Sequence, residues 1–174
     1  LLARGEDMKG ALVRGVDPAL AGDVTDIFAS RAGVPSVLQR LQPGAFGVVL
    51  GLDLARNLGV REGDNVTLIA PSGQVTPAGV VPRLKQLVVV GTFDSGHYEY
   101  DAGLVLLHQD DAARIFRLEG PTGIRLKIAN LHQAREVAQQ LAGTLSGDLL
   151  LRDWTRTNRT WFAAVKIEKR MMFI

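Results

Sequence analysis

The stretch from residue 47 to residue 69, GVVLGLDLARNLGVREGDNVTLI, decides the fold. It begins with an apolar run at 47–51 that is typical of a buried strand, and a short helix follows at 53–59, where a glycine ends it. A Gly-Asp turn at 63–64 then leads into a second strand at 65–69, whose first valine is expected to enter the core. The stretch therefore indicates a fold in which helices and strands share one core, and it carries no ligand-binding signal.

Further elements are predicted on both sides of this stretch. Strands are predicted at 8–16, 87–91, 103–107, 123–128 and 148–151, and the one at 123–128 alternates strictly between apolar and polar residues. Helices are predicted at 23–28, 36–41, 110–116, 131–141 and from 158 to the end. The strand-rich part at 47–118 looks inserted between two mixed parts, 1–46 and 119–174. The sequence thus predicts an α+β domain that a β-rich lobe interrupts.

The composition excludes several functional classes. The 20 basic and 18 acidic residues are spread along the chain, with no polybasic run and only two Trp and two Tyr, so no nucleic-acid partner is expected. Cysteine is absent, which excludes disulfides, thiolate zinc sites and cysteine nucleophiles. No Gly-Lys pair is present, so the sequence has no P-loop, and any ATP hydrolysis must occur on another chain. No cofactor is expected.

The densest polar cluster is DSGHYEYD at 94–101. It could supply a general base with carboxylate partners, or an oxygen-rich cation site. The alternative, which we favour, is a loop whose side chains satisfy the backbone groups of a turn. The three histidines, His97, His108 and His132, are far apart in the sequence and form no metal-binding motif. We therefore predict no catalytic or metal-binding residues, and a small enzyme that uses this loop remains an alternative.

The segment PSGQVTPAGVVPRLK at 71–85 is the most informative for function. Three prolines stiffen it, and its apolar residues have no helical period. One interpretation is a flexible solvent loop. The other is a protruding, pre-ordered hairpin with apolar anchors and two cations, Arg83 and Lys85, at its rim, as protein recognition requires.

Several motifs carry a resemblance to a known family. They are LG at 50–51, LA at 54–55, LGV at 58–60, GD at 63–64, PS at 71–72, TP at 76–77 and VGTF at 90–93, followed by DW at 153–154 and EK at 168–169. In this order and spacing, nearly the whole chain resembles the periplasmic domain of LolC/LolE-type permeases, which are lipoprotein-releasing ABC transporter subunits with a MacB-like periplasmic core domain.

This resemblance implies a fold and a setting. The expected domain has a Porter-like α/β subdomain at 1–46 and 119–174, interrupted by a β-rich Sabre-like subdomain at 47–118. The family lies in the bacterial inner membrane, so the chain is expected to be a periplasmic fragment without catalytic activity. The ends agree with that expectation, since Leu1 is not a Met and an apolar run begins at Met171, which leads towards a transmembrane helix.

The resemblance also implies partners and binding residues. The expected partners are a periplasmic LolA-like lipoprotein carrier, lipoprotein substrates, a separate ATPase subunit and a partner permease. The family engages the carrier with a hairpin hook, here 71–82, and with a neighbouring pad, here Leu84 and Lys85 with the adjacent Arg83. The predicted partner-binding residues are Pro71, Gln74, Val75, Thr76, Pro77, Ala78, Val80, Val81, Pro82, Arg83 and Lys85.

Two positions depart from the family pattern. Thr67 stands where the family's pad has an arginine, and Leu84 replaces a polar residue. An alternative within the same superfamily is the periplasmic domain of a MacB-like efflux permease or an FtsX-like permease, which would couple to other partners.

Overall fold

The structure, a computed structural model, describes residues 1–24, 37–76, 79–130, 133–145 and 149–153. The chain divides into two compact units, Leu1–Leu126 and Lys127–Ile174. Within the described part of the second unit, one helix is present at Ala134–Thr144.

The first unit is built on strands with short helices between them. In chain order its strands are β1 (Leu2–Arg4), β2 (Asp7–Lys9), β3 (Leu12–Val16), β4 (Gly47–Gly51), β5 (Asn65–Thr76), β6 (Gly79–Phe93) and β7 (Leu104–His108). Its α-helices are α1 (Pro18–Val24), α2 (Leu52–Asn57), α3 (Tyr98–Gly103) and α4 (Gln109–Phe116), and a 3₁₀ helix lies at Val37–Arg40. The helix of the second unit is α5.

The strands form one mixed sheet of seven strands in the order β2-β1-β5-β6-β4-β7-β3. Four neighbouring pairs are antiparallel, namely β1–β2, β1–β5, β5–β6 and β4–β7. The pairs β4–β6 and β3–β7 are parallel, and each needs a crossover connection that contains helices. The predicted α+β class is confirmed.

Both faces of the central strand β4 are buried, as its continuous apolar run predicts. Val48 and Leu50 point into a first core cluster, which also contains Leu54 of α2 and Ile115 of α4. Val49 points to the opposite face, into a second cluster. That second cluster consists of Leu38, Leu41, Val49, Phe93, Leu104 and Leu106.

Gly51 is required by a close backbone approach. A Cβ atom at this position would collide with the carbonyl oxygens of Tyr100 and Asp101, which belong to α3. Gly59 has a φ of +63°, a left-handed conformation that suits the residue after a helix, and so confirms the predicted glycine end of α2.

Two predicted strands are wrong. Residues 123–128 form no strand, and the side chains of Ile124 and Leu126 are 86% and 61% exposed. At 149–151 the described residues also form no strand, and Leu149 and Leu150 are exposed. Alternation of apolar and polar residues gives a strand only where a neighbouring strand supplies hydrogen bonds. The described residues at 123–128 and 149–151 pair with no strand.

Smaller differences concern element boundaries. The strand predicted at 8–16 is two strands, because the chain leaves the sheet at Gly10 and Ala11 between β2 and β3. The first helix begins earlier than predicted, at Pro18, where the Asp17 carboxylate accepts a hydrogen bond from Ala19 N at 2.9 Å. The helix predicted from residue 158 lies outside the described residues.

Candidate functional site

The hairpin formed by β5 and β6 extends past the rest of the sheet. β1 pairs with β5 only as far as Ile69, and β4 pairs with β6 only from Val88 onwards. From Ala70 to Thr76 the only recorded partner of β5 is β6. The free part of β6, from Gly79 to Arg83, spans four residue steps, or about 13 Å at about 3.3 Å per residue. The described part of the hook segment (residues 71–82), namely 71–76 and 79–82, belongs to this two-stranded ribbon.

The ladder between the two strands is interrupted at the base of the hook segment. Ala70 pairs with Arg83 and Gln74 pairs with Val81, so the residues at 71–73 of β5 lie opposite Pro82 alone. Proline has no backbone N–H and cannot donate a hydrogen bond to the ladder. The ladder is therefore interrupted at the level of Pro71 and Pro82. A bulge of this kind bends the strand and increases its twist, which sets the direction of the hook segment relative to the sheet.

β6 changes character as it leaves the core. Leu87 and Val89 are buried on the face of the first core cluster, but the next two positions on that face are Lys85 and Arg83. Val81 follows on the same face and is 52% exposed. The apolar side of the sheet thus becomes basic at the base of the hook segment and apolar again, but exposed, nearer its tip.

The opposite face of the hairpin is exposed and partly apolar. Leu84 pairs with Ile69 and is 65% exposed, and Gln86 pairs with Thr67. Thr67, where the family pattern has an arginine, pairs with Gln86 and therefore lies on the same face of the hairpin as Leu84. The two departures from the pattern share this face, whereas Arg83 and Lys85 lie on the other.

Lys85 is held against an aromatic ring. Its Nζ lies 3.5 Å from the centroid of the Phe46 ring, a cation–π contact at close range. Arg83 is half-buried, and its Nε is a buried atom for which the described residues supply no hydrogen-bond partner. Both cations are therefore close to the body of the sheet and not at the tip of the hairpin.

The structure brings together the predicted residues that it describes. Five of them lie on β6, namely Val80, Val81, Pro82, Arg83 and Lys85. On β5, Gln74 pairs with Val81, Val75 pairs with Val80 and Thr76 pairs with Gly79, while Pro71 lies in the unpaired stretch opposite Pro82. Pro77 and Ala78 lie outside the described residues. The contribution of Phe46 was missed, because its contact with Lys85 joins residues far apart in sequence and no local pattern announces it.

The polar cluster at 94–101 uses its side chains for the turn. Asp101 is almost fully buried, and its Oδ1 accepts hydrogen bonds from Ser95 N and Ser95 Oγ, both at 2.8 Å. Asp94 Oδ1 accepts from Gly96 N at 3.1 Å, and Ser95 Oγ accepts from His97 N at 3.2 Å. The residues from Tyr98 onwards form α3 and not a loop. In the described part of the chain, no three histidine or acidic residues are grouped as a metal site would require.

A shallow groove of about 310 Å³ lies between β3 and α3, lined by Leu12, Glu99, Tyr100 and Leu104 among others. Arg14 lies on β3, next to this groove in the chain. Burial lowers the pKa of its guanidinium, and the positive charge of Arg125 lowers this pKa further, whereas Tyr100 raises it. The groove is largely apolar, and its lining contains no nucleophile paired with a base.

Several known proteins have sequences similar to this chain. The chain matches no protein-family model. It does match transmembrane proteins of lipoprotein-releasing systems along its whole length. It is 42% identical over 176 residues to the lipoprotein-releasing system transmembrane protein LolC of Neisseria meningitidis serogroup B. It is 38% identical over 173 residues to LolC of Xylella fastidiosa strain 9a5c.

The resemblance to the LolC/LolE family is thereby confirmed, and the chain is homologous to a segment of LolC. It covers 42% and 41% of the length of the two relatives. A LolC of Haemophilus influenzae is 31% identical over 76% of the chain. Among the described residues, no helix is long and apolar enough to cross a membrane.

Proposed function

We propose that the chain is the periplasmic domain of a lipoprotein-releasing ABC transporter permease of the bacterial inner membrane. In this proposal it acts by binding, without catalysis. It engages a soluble LolA-like carrier through the hook segment and through the neighbouring pad, of which Arg83 and Lys85 lie on one face of β6 and Leu84 on the other. The sequence homology to LolC supports the transporter. The carrier as partner is what the family resemblance implies for a hairpin at this position.

The observation that carries the proposal is the ribbon beyond the sheet. Beyond Ile69 the described residues of β5 pair with β6 alone, and a ribbon of this kind is expected to add little to the core. Its sequence nevertheless contains three prolines and several valines. Val81 is exposed and lies on the same face as Arg83 and Lys85, which is the composition of a binding surface with an apolar anchor and a charged rim. Leu84 is exposed on the opposite face. A stiff hairpin also loses less conformational entropy on binding than a flexible loop would.

The proposal assigns ATP hydrolysis to another subunit, which agrees with the lack of a P-loop in this sequence. In the proposal a separate ATPase subunit drives the release of lipoproteins, and a partner permease completes the complex. The polar cluster at 94–101 does not favour an enzyme, because the carboxylate of Asp101 is engaged by Ser95.

Site-specific photocrosslinking in the full-length transporter tests the proposal. A photoreactive amino acid at Gln74 or Val81 should form a crosslink to the carrier, whereas the same group at Gln109, the first residue of α4, should not. Carrier crosslinks at Gln109 alone, or at none of the three positions, would reject the hook segment as the binding element.

A further inference from the structure

A buried carboxylate connects α4 to the segment that precedes β4. The side chain of Asp111 has no exposed surface, and its Oδ1 accepts a hydrogen bond from Gly44 N at 2.7 Å. Its Oδ2 accepts one from Phe46 N at 3.0 Å, and Arg114 Nη1 lies 3.9 Å from Oδ1. A buried carboxylate is costly unless its oxygens are hydrogen-bonded and its charge is compensated, so this geometry ties the two segments together.

The backbone of Phe46 is fixed from both sides. Its φ is +51°, a left-handed conformation that is unfavourable for a residue with a bulky side chain. The Asp111 carboxylate holds its N–H, and its carbonyl accepts a hydrogen bond from Val88 N of β6 at 3.2 Å. Such a conformation persists only where the surroundings determine it, and here it directs the ring beneath the Lys85 ammonium.

We propose that Asp111 is a positioning residue for Lys85 and acts through Phe46. By holding Phe46 in the left-handed conformation, Asp111 places the aromatic face on which the Lys85 ammonium rests. The cation at the base of the hook segment is then presented at one position before a partner arrives, which lowers the cost of ordering a long side chain on binding. The effect of Asp111 on carrier binding rests on the proposed function, whereas its effect on the position of Lys85 does not.

Chemical labelling of Lys85 tests the geometry in the full-length transporter complex. Its rate of acetylation by an N-hydroxysuccinimide ester, followed by mass spectrometry, should rise roughly two- to fivefold in Asp111→Ala and Phe46→Leu, because the cation–π contact is lost. Phe46→Tyr retains a ring and should restore the slow rate. The matched control is Asp110→Ala, whose side chain is exposed and should leave the rate unchanged.

Lys9 is exposed on β2 and is the internal reference for reagent reactivity, and limited proteolysis of each variant is the control for folding. If Asp111→Ala is digested as an unfolded chain, Phe46→Leu together with Phe46→Tyr decides the result. An unchanged Lys85 rate in a folded Asp111→Ala or Phe46→Leu variant would overturn the inference.

A double-mutant cycle tests the consequence for carrier binding. Asp111→Ala should weaken the affinity of the full-length complex for the carrier by roughly two- to fivefold, the range of the lost contact. It should have no further effect in a Lys85→Ala background, since the two residues then act as one unit. An equal loss in both backgrounds would show that Asp111 acts independently of Lys85. If the unsubstituted complex binds no carrier, the proposed function is wrong, while the labelling result still decides whether Asp111 positions Lys85.

Discussion

Pro71 and Pro82 adjoin the same cross-strand pair, Ala70–Arg83, since Pro71 follows Ala70 on β5 and Pro82 precedes Arg83 on β6, and the regular ladder is interrupted at these two prolines. Neither residue can donate a backbone hydrogen bond, so the two strands lose donors at one level. The interruption separates the part of the hairpin that belongs to the sheet from the hook segment, and the prolines also restrict the backbone on both sides of it.

The first prediction concerns these prolines. Replacing Pro71 and Pro82 together by alanine should weaken carrier binding roughly two- to tenfold, because a less restricted hairpin loses more conformational entropy on binding. Surface-based binding to the full-length complex measures the affinity. Pro121→Ala, at an exposed position in the segment after α4, is the control and should change nothing. Unchanged affinity in the double variant would mean that the hook segment needs no stiffening.

The second prediction concerns the two cations of the pad. Reversing Arg83 and Lys85 to glutamate should mainly lower the association rate with the carrier, since rim charges act by long-range attraction. The effect should shrink at high salt, because the Debye length is only about 10 Å at 0.1 M and shorter above it. Stopped-flow measurements at low and high salt distinguish the two regimes.

A matched charge reversal controls for net charge. Arg56 and Arg61 are exposed and precede β5, at the opposite end of that strand from the hook segment. Their reversal to glutamate should leave the association rate nearly unchanged. If both double reversals slow association equally, overall charge and not the pad steers the encounter.

The third prediction concerns the close approach of β4 and α3. Gly51→Ala should lower the free energy of unfolding by about 1–3 kcal/mol, because the new methyl group collides with the backbone carbonyls of Tyr100 and Asp101. Gly103→Ala meets no atom within 4 Å and should change the stability little. Chemical denaturation compares the two, and equal stabilities would contradict the described packing.

The fourth prediction concerns the polar cluster at 94–101. Asp101→Ala should lower the free energy of unfolding by about 1–3 kcal/mol, because it leaves Ser95 N without its acceptor in a nearly buried site. His97→Ala should stay within about 0.5 kcal/mol of the original stability. Lipoprotein release by the full-length complex should be normal in His97→Ala, whereas a loss of release in this stable variant would favour a catalytic role.

The central elements of the fold could be predicted because local signals and tertiary structure agree there. Three local signals each favour a single structure, namely the apolar run of β4, the glycine that ends α2 and the Gly-Asp turn before β5. The strand predicted at 123–128 failed because alternation reports only which residues suit a strand. Whether a neighbouring strand is available is a property of the whole fold.

The candidate site was predictable only in part. Proline and valine content indicated a stiff hairpin, and the paired strands from Ala70 to Arg83 agree with it. The roles of Phe46 and Asp111 were not predictable, because their contacts join segments that are distant in the sequence. Non-local contacts of this kind follow from the topology of the sheet and leave no local pattern.

The binding role of the hook segment is tested most directly by deleting it and measuring the affinity of the full-length complex for the carrier. In this variant a short Gly-Ser turn replaces residues 71–82 and connects Ala70 to Arg83, which already pair with each other in the ladder. We predict that carrier binding is lost while the thermal unfolding transition stays nearly unchanged, because a ribbon that pairs with itself beyond the sheet is expected to contribute little to the core. Carrier binding at the original affinity in this shortened variant would contradict the assignment of the hook segment.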